Sequence, residues 1–402
     1  MHQHFLFVGI DVSKFKHDVA VMNDEKQLLG KPFVVADNLP GFQDLLHRLE
    51  EYSEKYQTQR VYIGLESTSD YWKNLYYWLK KQSAAFSITV INPVRTKAFG
   101  KTELRRAKTD PINAKDIAQF MVEKRPAASL DRPPVFENIK DIDKRIYQIK
   151  KQQTMLINKL RLELTKVAPE IEKDFVRLRG RQIMAVLEKY PTAADIAGAE
   201  PAQLAAITYG KKSWSLSAPF LARITALAHR SVGYKTGAGA GYVVQSLIRS
   251  LSHVQQEVEL LKKQLAQLYH TIHEQDSLLV TIPGIGIETA IALEAYIGDV
   301  SRFSRPEKLV AYFGMNPTVD RTGKSVRSSF LQKKGEPIVR HKLFMAVLSM
   351  LSMRQEPFYS YYCNLVAAGK PKLVALCAAM RKLLVIIFVM LKNQKPFNTD
   401  FQ

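Results

Sequence analysis

The sequence predicts an α/β domain followed by a mainly all-α chain. Two observations carry this expectation. Over the first 125 residues, short apolar runs closed by acids or Pro alternate with helical patterns. Beyond about residue 140 the apolar positions recur at steps of three and four, the helical period.

In chain order, "FLFVGID" reads as a first buried strand that ends at Asp11, and "HDVAVMN" and "KPFVVAD" as its partners in a meander. "GFQDLLHRLEEYSEKY" has helical spacing. "RVYIGLES" is another buried strand, closed by Glu66. "DYWKNLYYWLKK" is helical, with Tyr71 and Trp72 read as core aromatics, and "FSITVINP" is a strand stopped by Pro93. In "RRAKTDPINAKDIAQF", Asp110 stands where an N-cap belongs and Pro111 at the first helical position. The Pro-rich, charged "KRPAASLDRPPVFENIK" reads as a linker.

Next comes a rough heptad rhythm at Ile142, Ile146, Ile149, Leu156 and Leu160, interrupted by Gln153. A stricter one follows at Leu247, Leu251, Val254, Val258, Leu261, Leu265, Leu268 and Ile272. Such spacing predicts a coiled-coil seam, whose partner is either the first heptad helix or another subunit. "YPTAADIAGAEPAQLAAIT" is a small helical unit, and "GYKTGAGAGY" a flexible break. "LLVTIPGIGIETAIALEAYIG" predicts a helix–hairpin–helix-like turn, where Gly284 and Gly286 let backbone amides approach a phosphate. "LLVIIFVML" reads as part of a buried C-terminal helix, too short to span a bilayer. The division expected is 1–125, 126–275 and 276–402.

Lys and Arg number 58 against 38 acids in 402 residues, a net charge of +20. The basic residues recur in most segments, which points to a polyanionic partner, nucleic acid first. Hydrophobic content of 46% excludes a disordered chain. Cys363 and Cys377 are far apart and outside any CxxC pattern, which argues against a disulfide scaffold or zinc cluster and fits a reducing cytosol. No signal peptide is expected at the N-terminus.

Asp11, Glu66 and Asp110 all fall at element ends in the first domain. Carboxylates that converge repel one another, and divalent cations relieve the repulsion while activating an attack on a phosphodiester. Mg²⁺ or Mn²⁺ accepts such oxygen ligands, including an Asn carbonyl. Each acid alone also has a plain structural role as a turn, strand-end or cap residue.

Several ordered motifs together resemble the DEDD insertion-sequence transposases of the IS-one-ten type. They are "VGIDVSK", "LESTSDYWKNLYYWL", "VINPVRTKAF" and "KTDPINAKDIAQF" in the first part. In the last part they are "TIPGIGIETAIALEAYIGD", "KLVAYFGMNPTVDRTGKSV", "KKGEPIVRHKLF" and "GKPKLVALCAAMRKLLVIIFVMLKNQKPF". The resemblance spans roughly residues 5–125 and 276–397.

It implies a RuvC-like, RNase H-type N-terminal domain, a helical connector and a C-terminal transposase domain with a nucleophilic serine. It also implies double-stranded DNA, both element ends and target, as substrate, and an element-encoded guide RNA. A homo-oligomer, dimer or tetramer, in the nucleoid of a bacterial or archaeal cytoplasm would complete the picture, with no membrane. Asp11, Glu66 and Asp110 fall on the first three acids of the family's metal site. The fourth is Asn113 here, with Asp116 as the acid one turn on.

The family's serine is Thr322 in "DRTGKSV". Ser325 is the second candidate nucleophile, ahead of Ser328 and Ser329. Lys324, Arg327, Lys333, Lys334 and Arg340 are candidate phosphate contacts around that hydroxyl. Two alternatives stand beside a recombinase: a metal-dependent RuvC-like nuclease using water, and a catalytically impaired nucleic-acid-binding remnant.

Overall fold

A computed structural model describes residues 5–67, 69–102, 114–129, 134–175, 180–210, 212–322, 325–331 and 335–398, with backbone alone for 100–102, 175, 317–322 and 325–331. The chain divides into two compact units, Met1–Asp131 and Arg132–Gln402.

The first unit is built on a five-stranded sheet. Its elements are β1 (Phe5–Val12), β2 (Lys16–Met22), β3 (Phe33–Ala36), α1 (Leu39–Lys55), β4 (Arg60–Glu66), α2 (Trp72–Leu79), β5 (Phe86–Ile91), α3 (Pro93–Thr102) and α4 (Ala114–Lys124). The strand order is β3-β2-β1-β4-β5. β1, β2 and β3 form an antiparallel meander, while β4 and β5 run parallel to β1. This mixed sheet is the RNase H-type arrangement expected.

Strand alternation decides the two faces. Leu6, Val8, Ile10 and Val12 join Leu45, Leu49, Leu75 and Leu79 in one core, under α1 and α2. Phe7 joins Ala114, Ile117, Ala118 and Met121 in the other, under α4. Helix α3 was not foreseen: Pro93 ends the strand and also opens a helix, because its missing N–H is one that no first turn would satisfy. Residues read as the start of a linker are fastened to β5, where the Ser129 amide donates to Ile88 and the Thr89 hydroxyl to Ala127.

The second unit is mainly helical. It runs through α5 (Pro134–Val167), α6 (Pro169–Phe175), α7 (Arg181–Lys189), α8 (Ala193–Ala197), α9 (Pro201–Ala205), β6 (Thr208–Tyr209), β7 (Trp214–Ser215), α10 (Ala218–His229) and α11 (Ala238–His270). It continues through α12 (Ile287–Ile297), α13 (Pro306–Tyr312), β8 (Pro317–Thr322), β9 (Ser325–Leu331), α14 (Pro337–Ser352), α15 (Phe358–Ala367) and α16 (Lys372–Asn393).

The two heptad stretches lie on α5 and α11, which pack on each other through Ile139, Ile146, Ile149, Val258 and Leu265. The seam drifts at its ends. Val244 and Ile248, not Leu247, are buried at the start of α11, and Tyr269 is buried near its end. Ile272 lies past the helix and is 41% exposed. A straight helix of 3.6 residues per turn moves about 20° per heptad away from a strict seven-residue repeat.

"LLVIIFVML" lies within the 22-residue α16, so the apolar helix is longer than the run suggested and long enough by length and composition to cross a membrane. Here Leu383, Leu384, Ile387 and Met390 are buried in one core with α12, α13 and α14. The segment before Pro283 is a single 3-10 turn, Leu278–Thr281, where a full helix was expected.

Candidate active site

β1 and β4 are parallel and pair Gly9 with Gly64 and Ile10 with Leu65. Asp11 and Glu66 are the next residues on each strand, so they stand side by side on one face, about 5 Å apart at the backbone. It is the face of Phe7 and Gly9, the one that α4 covers. Across the meander Asp11 pairs with Asp18, which brings a third carboxylate to the same face.

Glu66 is buried and accepts a 2.6 Å hydrogen bond from the Thr96 hydroxyl on α3. The Asp11 carboxyl is pushed up to about 6, first by burial and then by the charges of Glu66 and Asp18. A carboxylate crowded in this way is electrostatically short of a cation. The donor set therefore fits a hard divalent ion held by oxygens. Among the described residues, no three His, Cys, Asp or Glu side chains stand close enough to hold a metal ion by themselves.

α4 brings its first turn to this place. A Cβ on Gly9 would lie 2.1 Å from the Ala114 carbonyl oxygen and 2.2 Å from the Ala118 nitrogen. Only glycine lets the helix lie this close to β1. Asp110 and Asn113 lie outside the described residues, just ahead of Ala114. Asp116 is a different case. Ala114, Ile117, Ala118 and Met121 face the sheet, and Asp116 stands roughly 160° round the helix from Ala118. Asp116 is also about 100° from Ile117 and is half-buried.

The candidate nucleophiles sit in a hairpin of the second unit. β8 and β9 pair antiparallel, and their last register pair is Thr322 with Ser325. The two hydroxyl residues stand opposite one another at the end of the ladder. The register shifts at Asp320/Arg321 and resumes with Asp320 opposite Ser328, which leaves Arg327 as the extra residue of a bulge. Ser329 pairs with Val319. Lys324, Lys333 and Lys334 lie outside the described residues.

Arg340, read as a phosphate contact, donates from Nη1 to the carbonyls of Gly335 at 2.6 Å and Phe313 at 3.3 Å. It ties α14 to the base of the hairpin. Gly284 has φ +91°, and a Cβ there would meet Met350 and Ala346 of α14 at 3.1–3.3 Å. Gly286 caps α12 with open space around it. Trp72 packs edge-on against Tyr76 as a core residue does, whereas Tyr71 is 37% exposed at the start of α2.

The family model described as "Transposase", of the DEDD IS110 type, matches residues 8–169. The model "Transposase IS116/IS110/IS902 family" matches residues 276–363. The two fall in order on the carboxylate sheet and on the hairpin region. The chain belongs to the IS110-type transposases.

This transposase is 23% identical over 394 residues to the pilin gene-inverting protein of Moraxella bovis, covering 98% of this chain and 97% of the relative. It is 26% identical over 250 residues to a 43.6 kDa protein of insertion element IS110 from Streptomyces coelicolor, covering 60% of each chain. Among solved structures, Thermus thermophilus RuvC in complex with a Holliday junction substrate aligns over 32% of this chain and all of its own, at 15% identity and a TM-score of 0.22. The protein is an enzyme of DNA recombination.

Two residues of the site escaped the sequence reading. Asp18 was legible in principle, since a short turn after Val12 fixes which residue of β2 faces Asp11. Thr96 gave no signal, because α3 itself went unread.

Proposed function

We propose that the transposase cleaves and rejoins DNA strands through a covalent hydroxyl–DNA intermediate, with a divalent cation at the Asp11 face. The observation that carries this is the side-by-side placement of Asp11 and Glu66 at the ends of parallel β1 and β4, on the face that α4 covers. Asp11, Glu66 and Asp110 would hold Mg²⁺ or Mn²⁺, with the Asn113 carbonyl in the fourth acid's place. When bound, the cation supplies positive charge to the scissile phosphate. Thr96 fixes the Glu66 carboxylate in orientation.

Thr322 is the first nucleophile and Ser325 the second. The hydroxyl oxygen bonds to phosphorus as one bond from phosphorus to a deoxyribose oxygen breaks. The hydroxyl proton leaves, and the released sugar hydroxyl takes one up. The number of phosphoester bonds is unchanged, so strand exchange reverses the step with no high-energy cofactor.

The working division assigns 1–125 to the carboxylates, 126–275 to a coiled-coil connector and 276–402 to the hydroxyl and the helix–hairpin–helix-like turn. The relative that inverts a pilin gene supports a recombinase over a nuclease. An element-encoded RNA selects the DNA, and a dimer or tetramer assembles the sites. Cys363 and Cys377 are free thiols, in keeping with a bacterial or archaeal cytosol.

The test mixes the protein with RNA transcribed from the element's flanks, labelled donor and target DNA, and Mg²⁺. Protein-linked DNA is then sought on a denaturing gel. A band lost in Thr322→Ala but kept in Ser325→Ala is the expected result, and the reverse moves the nucleophile to Ser325. Free cut ends with no adduct would point to a water-using nuclease. Nucleic-acid binding with no cleavage would point to an impaired remnant.

A further inference from the structure

The seam between α5 and the start of α14 gathers cations that the proposed chemistry does not use. Tyr147, Lys150 and Lys151 lie on α5 at steps of three and four, so they share one face. His341 of α14 packs edge-on against Tyr147, with ring centroids 5.3 Å apart. The Lys151 ammonium lies 4.6 Å from the centre of the same tyrosine ring. Lys342, beside His341, is paired with the buried Asp143 at 2.7 Å.

The acids around this cluster are already committed. Asp143 is held by Lys342, and Glu288 and Glu259 are held by Lys262 at 2.9 and 3.1 Å. Lys150 and Lys151 are exposed, and neither ammonium group has a hydrogen-bond or ion-pair partner within reach among the described residues. His341 is exposed beside them. Its pKa is lowered by burial first, and then by Lys342, Lys150 and Lys151. No acid contributes to that balance; Lys150 does feel Glu288 and Asp143, yet its own pKa is lowered, by burial first, with Lys262 and Lys342 adding to the shift. Like charges this close repel, and a folded chain keeps such an arrangement at a cost unless an anion answers it.

We propose that Tyr147, Lys150, Lys151 and His341 form a phosphodiester-binding site for the backbone of a bound nucleic acid. The inference rests on the transposase reading for its ligand class, and adds a site outside both the carboxylate face and the hairpin. The patch is open and combines exposed ammonium groups with a half-buried aromatic ring, which suits an extended polyanion. It also adjoins the hairpin's support. α14 is the helix that Arg340 ties to Gly335 and Phe313, next in sequence to His341. A strand held at the seam is therefore held against the element that positions the hairpin's base.

The test is fluorescence anisotropy with a short labelled DNA duplex of arbitrary sequence and a labelled single-stranded RNA, over a salt series. The variant is Lys150→Gln/Lys151→Gln in the full chain. Its control is Lys263→Gln/Lys308→Gln, which removes two exposed lysines elsewhere.

The seam variant is expected to bind roughly tenfold more weakly near physiological salt, with the slope of log K against log salt smaller by about 2 on duplex, or about 1.4 on single strand. Lys150→Arg/Lys151→Arg should restore the slope, which a folding defect would not. Loss on the duplex assigns the site to DNA, and loss on the single strand assigns it to RNA. A seam variant whose affinity and slope match the control on both ligands overturns the inference and leaves the transposase reading intact. A wild-type chain that binds neither ligand removes the support of both.

Discussion

Replacing Asp11 by Asn should stabilise this protein while disabling it. Asn keeps the shape of the side chain and removes the charge that Glu66 and Asp18 oppose. The Asp11 pKa rises from 3.8 to about 6 on folding. A raised acid favours the folded state fully below its unfolded pKa, and that advantage is lost as pH climbs through about 6. Two pKa units correspond to about 3 kcal/mol, and partial exposure of the carboxyl to solvent reduces this to about 1 kcal/mol.

Thermal unfolding is the assay, in chelator-treated buffer at pH 8 and again near pH 4. At pH 8 Asp11→Asn should melt about 3 °C above the wild type. Near pH 4 the gap should close, because the wild-type carboxyl is largely protonated there. Added Mn²⁺ should then raise the melting temperature of the wild type and leave that of the variant unchanged. A variant that melts at or below the wild type at pH 8, or a gap independent of pH, would refute the argument that crowded charge marks this place as a cation site.

Three further outcomes follow from the same geometry. Gly9→Ala sets a methyl against the Ala114 carbonyl and the Ala118 nitrogen, and should cost about 3 kcal/mol in urea unfolding as α4 is pushed off β1; an unchanged midpoint would mean that the helix is not clamped there. Lys342→Met leaves Asp143 buried and unpaired and should cost about 3 kcal/mol, most of it recovered in Lys342→Met/Asp143→Leu; equal losses in the single and double variants would contradict this. Thr322→Ser removes a methyl group that stiffens χ1 and crowds the approach to phosphorus, so protein-linked DNA should form several-fold faster in the gel assay, and slower formation would count against Thr322 as nucleophile.

The sequence by itself determined the local elements of the first unit. β1, β4 and β5 are apolar runs closed by Asp11, Glu66 and Pro93, and a buried strand announces itself by its composition. The heptads announced α5 and α11, because a helix must bury one stripe. Ordered motifs at both ends of the chain were enough to indicate the family.

Tertiary structure decided what stands beside what. Parallel pairing of β1 with β4 is a long-range event, and it alone sets Asp11 next to Glu66. The meander register set Asp18 opposite Asp11, and α3 delivered Thr96 to Glu66. Arg340 was read as a phosphate contact, and the structure holds its Nη1 on the carbonyls of Gly335 and Phe313. The seam at Tyr147, Lys150, Lys151 and His341 joins residues nearly two hundred positions apart. The physical reason is common to all of these. Periodicity reports which face of an element is buried, but only packing chooses its neighbour, and the charge a residue feels comes from that neighbour.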